Sequence, residues 1–151
     1  MITITKVFMF EASHRLPYYE GACHNLHGHS YKLEVTIGGN VEEDINNPKC
    51  GMIMDFKDLK KIVNEVAVDK YDHSYLNVFF PNPTAENMVK KISLDIMRKL
   101  PKNAFLMSCK LWETTTSYAE FNPIIEYVYK NLSEGVRNLE YADQPVLQSA
   151  T

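Results

Sequence analysis

Two stretches of this chain alternate apolar and polar residues with a period of two over lengths that span a whole sheet. In the first, Ile2, Ile4, Phe8, Phe10 and Ala12 share one face of a strand over 2–12, and His14 follows just beyond it on the same side. In the second, His29, Tyr31, Leu33, Val35 and Ile37 alternate until Gly38-Gly39-Asn40 ends the run in a turn. Two long strands with one apolar face each must be covered by another layer, and the rest of the chain has to supply it.

That layer is legible. After the turn-rich Asn46–Gly51 segment, Met52-Ile53-Met54 reads as a short apolar strand. Asp55 then reads as the N-cap of a helix, with Asp58 in its first turn and Leu59, Ile62, Val63 and Val66 at helical spacing. Thr84, after Pro81-Asn82-Pro83, caps a second helix whose stripe is Met88, Val89, Ile92 and Ile96 and which Leu100-Pro101 ends. Phe105, Met107, Cys109 and Leu111 form a third long strand that delivers Glu113 at its tip, and Ser117–Phe121 a fourth. The order predicts an α+β domain over 1–122 with both helices on one face of a mostly antiparallel sheet. Residues 123–151 read as a C-terminal extension, part amphipathic helix through Ile124, Ile125, Val128 and Leu132, part frayed tail.

Composition narrows the partners. A net charge of −3 with scattered lysines and arginines lacks the basic stripe of a nucleic-acid or anionic-membrane surface. The three cysteines, at 23, 50 and 109, have no paired spacing, so no disulfide framework is expected; Cys50 and Cys109 read as structural. With neither a leader-like N-terminus nor a long apolar run, the expected setting is the cytoplasm.

The chemistry concentrates in Cys23-His24-Asn25-Leu26-His27-Gly28-His29, which holds three of the five histidines. Catalytic zinc takes three protein ligands and keeps a fourth position open, and His14, His27 and His29 can supply the three from neighbouring strand ends. An H-x-H pair at a strand start is equally the pattern of two partly exposed polar residues. Cys23 leaves two further readings open: the fourth ligand of a closed structural site, or a thiolate base beside a cation. Asp72-His73 is either a solvated loop pair or an imidazole held in one tautomer by its neighbour for acid–base work. Glu113, beside Trp112, is either a surface carboxylate or an acceptor for two parallel N–H donors of an amino-pyrimidinone ring. Arg15 and Lys32 are candidate anion contacts without a recognisable phosphate cradle.

Taken together, FEASHRL (10–16), CHNLHGHSYKLEV (23–35), GMIMDFKDLK (51–60), YDHSYLN (71–77), NPTAEN (82–87) and LWET (111–114) resemble, in order and over about residues 1–121, the 6-pyruvoyltetrahydropterin synthase / 6-carboxytetrahydropterin synthase family. The resemblance implies a tunnelling fold, a four-stranded antiparallel sheet with two helices on one face. It further implies a barrel-centred homohexamer of two trimers with active sites between subunits. It implies Zn2+ on His14, His27 and His29, Cys23 as catalytic base, and Asp72 with His73 as a second acid–base pair. Glu113 becomes the pterin anchor, with Thr84 and Glu86 lining the same pocket.

The three-residue spacing between Cys23 and His27 resembles the branch that makes 6-carboxy-5,6,7,8-tetrahydropterin for queuosine. The expected function is therefore a zinc-dependent lyase acting on 7,8-dihydroneopterin triphosphate. The alternatives are the pyruvoyl-forming reaction, another dihydropterin side-chain cleavage, or a noncatalytic zinc- or pterin-binding protein. His24 and the extension from 123 depart from the pattern.

Overall fold

The computed structural model describes residues 2–131. Strands β1 (Ile2–His14) and β2 (His27–Gly39) form one long antiparallel hairpin in which residue numbers across the ladder run from Ile2 opposite Gly39 to His14 opposite His27. Helix α1 (Phe56–Val63) passes through a wider π turn at Asn64–Val68 into the single turn α2 (Asp69–Tyr71). The two-residue β3 (Ser74–Tyr75), helix α3 (Ala85–Lys99), β4 (Ala104–Trp112) and β5 (Tyr118–Phe121) follow. The sheet order is β3-β1-β2-β4-β5.

Alternation decides which face is covered. Phe8, Phe10, Ala12 and His14 of β1 and Tyr31, Leu33, Val35 and Ile37 of β2 are buried against Leu59 and Val63 of α1 and Met88, Val89, Ile92 and Ile96 of α3. The expected caps are in place: Asp55 accepts from the Lys57 N–H and Thr84 Oγ1 from the Asn87 N–H. At the far end of β2, a Cβ on Gly39 would lie 2.5 Å from the Asn103 carbonyl oxygen and 2.7 Å from Ile53 Cγ2. Only glycine lets those segments approach so closely.

Two expectations are corrected. The sheet has five strands and is mixed, because β3 adds in parallel beside Ala12 and Ser13 of β1. A two-residue strand carries no periodicity; it is placed by Glu11, whose N–H donates to Asp72 Oδ1 (2.8 Å) and whose carbonyl accepts the His73 N–H (2.6 Å). Met52-Ile53-Met54 is no strand. Gly51, at φ +84°, turns the chain there, Glu42 exchanges backbone hydrogen bonds with Gly51 and Met52, and Ile53 and Met54 drop into the core.

A helix at 123–131 follows β5, started by Asn122 Oδ1, which accepts from the Ile124 and Ile125 N–H groups. The expected tail, with Leu132, lies outside the described residues.

Candidate active site

The hairpin register builds the centre of the site. Even-numbered residues of β1 and odd-numbered residues of β2 face the core, so His14 stands directly opposite His27, and His29 lies one inward position further along β2 opposite Ala12. Their ring centroids are 4.5 to 5.1 Å apart, and one nitrogen from each ring falls within a 4.8 Å cluster.

Hydrogen bonds orient the rings. His14 Nδ1–H donates to the Pro83 carbonyl (2.8 Å) and His27 Nδ1–H to the Asn25 carbonyl (2.8 Å). A carbonyl oxygen only accepts, so both protons sit on Nδ1 and both neutral rings turn an Nε2 lone pair inward. The two Nε2 atoms are 3.1 Å apart. Nε2 of His29 is buried and has no hydrogen-bond partner. Burial holds both His14 and His29 below the ordinary histidine pKa, against the opposing pull of the Glu113 carboxylate. Unprotonated lone pairs converging in a buried space are the donor set of a cation, and imidazole suits zinc among the common divalent metals. The residues present therefore fit a metal.

Glu113 joins this centre. Its Oε1 is 3.6 Å from His14 Nε2 and 3.9 Å from His29 Nε2. The Glu113 N–H donates to the Ser117 carbonyl (3.1 Å), closing the β4–β5 turn that sets its position. On its other side Glu113 lines a cleft of about 300 Å³ with Leu16, Thr84, Glu86, Ser117 and Tyr118, so the three residues expected to bind a ring share one cavity.

Cys23 is in a single 3-10 turn, Ala22–His24, partly exposed, and stands outside the imidazole cluster. The closed Cys-His₃ arrangement is thus not formed among the described residues. His24 is also outside the cluster, in a separate cleft with Tyr18, Tyr19 and Glu20. Lys32 is engaged elsewhere, paired with Glu34 at 2.8 Å and 4.1 Å above the Trp112 ring. Arg15 is exposed, its backbone clamped by the Asn77 side chain. Cys50 is unpaired, and burial pushes the Cys109 thiol up to about 12, which leaves it unreactive.

Asp72 and His73 form a pair, His73 Nδ1 lying 3.0 Å from Asp72 Oδ2. The Glu11 N–H, and then His73, hold the Asp72 carboxyl below the usual carboxylate range. His73 adopts φ 54°, a left-handed conformation that costs on the order of 1 kcal/mol in a non-glycine residue. Its side chain is 79% exposed and lines a cleft of about 400 Å³ with Glu11, Ser13, Ser30 and also His29 of the imidazole cluster. The pair is thus held at the β1 edge of the sheet by the Glu11 backbone, in a cleft that His29 also lines.

The family described as 6-pyruvoyl tetrahydropterin synthase matches residues 3–123. The chain belongs to that family. A 6-carboxy-5,6,7,8-tetrahydropterin synthase of Haemophilus influenzae is 34% identical over 143 residues, covering 80% of this chain and 99% of that protein. A dihydroneopterin monophosphate aldolase of Pyrococcus furiosus is 39% identical over 104 residues, covering 69% of this chain and 82% of that protein. The 6-pyruvoyl tetrahydropterin synthase structure from Caenorhabditis elegans superposes with a TM-score of 0.68 at 27% identity, covering 80% of this chain and 94% of that one. The relatives named here are pterin synthases and an aldolase.

The carbonyls of Pro83 and Asn25, which set two ring tautomers, were not legible beforehand. A backbone oxygen leaves no mark in composition or spacing; the nearest signal was the Asn-Pro-Thr cap that carries Pro83.

Proposed function

We propose that this chain is a zinc-dependent 6-carboxy-5,6,7,8-tetrahydropterin synthase, converting 7,8-dihydroneopterin triphosphate and water to 6-carboxytetrahydropterin, acetaldehyde and triphosphate for queuosine synthesis in the cytoplasm. The observation that carries the reading is the convergence of three imidazoles, two with Nε2 atoms 3.1 Å apart, beside a carboxylate that also lines a cleft of about 300 Å³.

In this reading His14, His27 and His29 hold Zn2+, which when bound supplies a Lewis acid to the oxygens of the three-carbon side chain. Glu113 accepts two N–H groups from the pyrimidinone edge, and Thr84 and Glu86 line the ring's cavity, so the reacting carbons are held in place. Cys23, as thiolate, removes a proton from the side chain. His73, oriented by Asp72, moves a proton on the other side.

His73, exposed at the β1 edge of the sheet, serves in this reading the site of a neighbouring copy in a homohexamer of two trimers. Exposed apolar residues on the uncovered sheet face, Val7 (52%), Met9 (56%) and Phe105 (43%), favour such an assembly.

The test is incubation of zinc-loaded protein with 7,8-dihydroneopterin triphosphate, followed by mass analysis of the pterin and an acetaldehyde assay. Carboxytetrahydropterin with matching acetaldehyde is the expected result. A pyruvoyl product without acetaldehyde would move the chain to the other branch, and unchanged substrate would leave a zinc- or pterin-binding protein. A second reading is favoured by the Pyrococcus furiosus relative, an aldolase of dihydroneopterin monophosphate. Cleavage of the monophosphate in preference to the triphosphate would establish it.

A further inference from the structure

We propose that Glu113 is itself a metal ligand in the resting protein, completing the coordination begun by His14, His27 and His29, and that it leaves the ion when a pterin ring claims its oxygens. The inference rests on the reading of the three histidines as a metal centre.

Distance comes first. Two donors on a tetrahedral ion at 2.0–2.1 Å are about 3.3 Å apart. The His14 and His27 Nε2 atoms are separated by 3.1 Å, and Glu113 Oε1 lies 3.6 and 3.9 Å from Nε2 of His14 and His29. The carboxylate oxygen is thus within a few tenths of an ångström of a fourth vertex.

Charge points the same way. Three neutral imidazoles bring a dication no compensating charge, and His14 is fully buried. Among the described residues no lysine or arginine comes within ion-pair distance of Glu113; its only ion-pair contacts are the two imidazoles. A carboxylate facing the unprotonated Nε2 of His14 at that range is unfavourable unless a cation lies between them. Cys23, the other anionic candidate, stands outside the cluster.

The same carboxylate forms part of the wall of the cleft shared with Thr84, Glu86 and Tyr118. A pterin ring there offers two N–H donors to oxygens that the metal also attracts, so ring binding and carboxylate release are coupled. The coupling frees a coordination position for the side-chain oxygens once the ring is seated, and by linkage it makes the metal weaken ring binding.

Co2+ serves as a spectroscopic substitute for Zn2+, read by visible absorption and by competition with a chromophoric chelator. Glu113→Gln is expected to lower Co2+ and Zn2+ affinity at least about tenfold and to change the bound Co2+ spectrum. Glu86→Gln, which removes a charge from the same cleft, should leave both as in the wild type. Thermal melting of the metal-free Glu113→Gln protein verifies that it folds.

Adding pterin, which has the ring and none of the side-chain oxygens, should move the wild-type spectrum toward that of Glu113→Gln and leave the variant's spectrum unchanged. A wild-type chain that binds metal as tightly as Glu113→Gln, with the same spectrum, overturns the ligand assignment and leaves the three-histidine centre standing. A wild-type spectrum indifferent to millimolar pterin overturns the exchange. A wild type that binds no stoichiometric Co2+ or Zn2+ removes the metal centre itself, and the inference with it.

Discussion

His14 Nε2 lies 3.1 Å from His27 Nε2 while the Nδ1–H of each ring is committed to a backbone carbonyl, Pro83 for one and Asn25 for the other. The hairpin thus brings two ring nitrogens together with their lone pairs facing each other, an arrangement that a cation between them would relieve.

Removing one imidazole tests this directly. His27→Ala should lose zinc affinity by more than the roughly 10- to 100-fold that loss of a supporting group costs. The metal-free variant should melt close to the metal-free wild type, since His27 is only partly buried. Stoichiometric zinc retained by His27→Ala, measured by metal analysis after gel filtration, would sink the assignment.

Acid should weaken the centre twice over. His14 and His29 have folded pKa values below the ordinary histidine value of 6.5, chiefly through burial. At pH above that unfolded value both states are neutral and the full stability is present. As the pH falls from 6.5 toward the depressed folded values, the unfolded chain takes up protons that the folded chain refuses, and stability is lost across that window. Metal-free protein should therefore unfold at progressively lower denaturant concentration over this range, and protons should displace zinc at its lower end. A denaturation midpoint that rises on acidification would contradict the buried neutral histidines.

Cys23 and His73 are expected to serve one site from two chains. Cys23→Ala should keep its metal, because the thiol is outside the imidazole cluster, and lose at least about 100-fold in turnover as a missing proton-transfer group. His73→Ala should behave alike. Unfolding the two variants together and refolding them at equal concentration should restore about a quarter of the wild-type rate, the share of randomly assembled sites that pair two intact residues. A mixture as inactive as its components would place both groups in one chain.

Gly39 offers a test of the fold apart from the chemistry. A methyl group there meets the Asn103 carbonyl oxygen at 2.5 Å and Ile53 Cγ2 at 2.7 Å, so Gly39→Ala should destabilise by about 1–3 kcal/mol through overpacking. Urea denaturation would measure it; an unchanged midpoint would mean that the β2 end and the Asn103 turn separate freely.

Much of this molecule was legible in its sequence because strands and helices write their periods into it. The parity of Phe8, Phe10 and Ala12 against Tyr31, Leu33 and Val35 determined that His14, His27 and His29 face one way, and Asp55 and Thr84 marked both helix starts. The short elements were not legible. Met52-Ile53-Met54 has an apolar run and no ladder, and Ser74-Tyr75 has a ladder and no pattern, since two or three residues cannot show a period.

By itself, then, the sequence determined the hairpin, its helical cover, the side of the sheet on which the histidines lie, and the family to which the chain belongs. Only the tertiary structure decided which nitrogens are free, that Glu113 rather than Cys23 stands beside them, and that His73 is held at the β1 edge of the sheet. Those outcomes depend on backbone carbonyls, on a left-handed residue and on contacts between segments as far apart as Glu11 and Asp72. Side-chain periodicity records only which face a residue belongs to, and such long-range contacts are set when the faces close on one another.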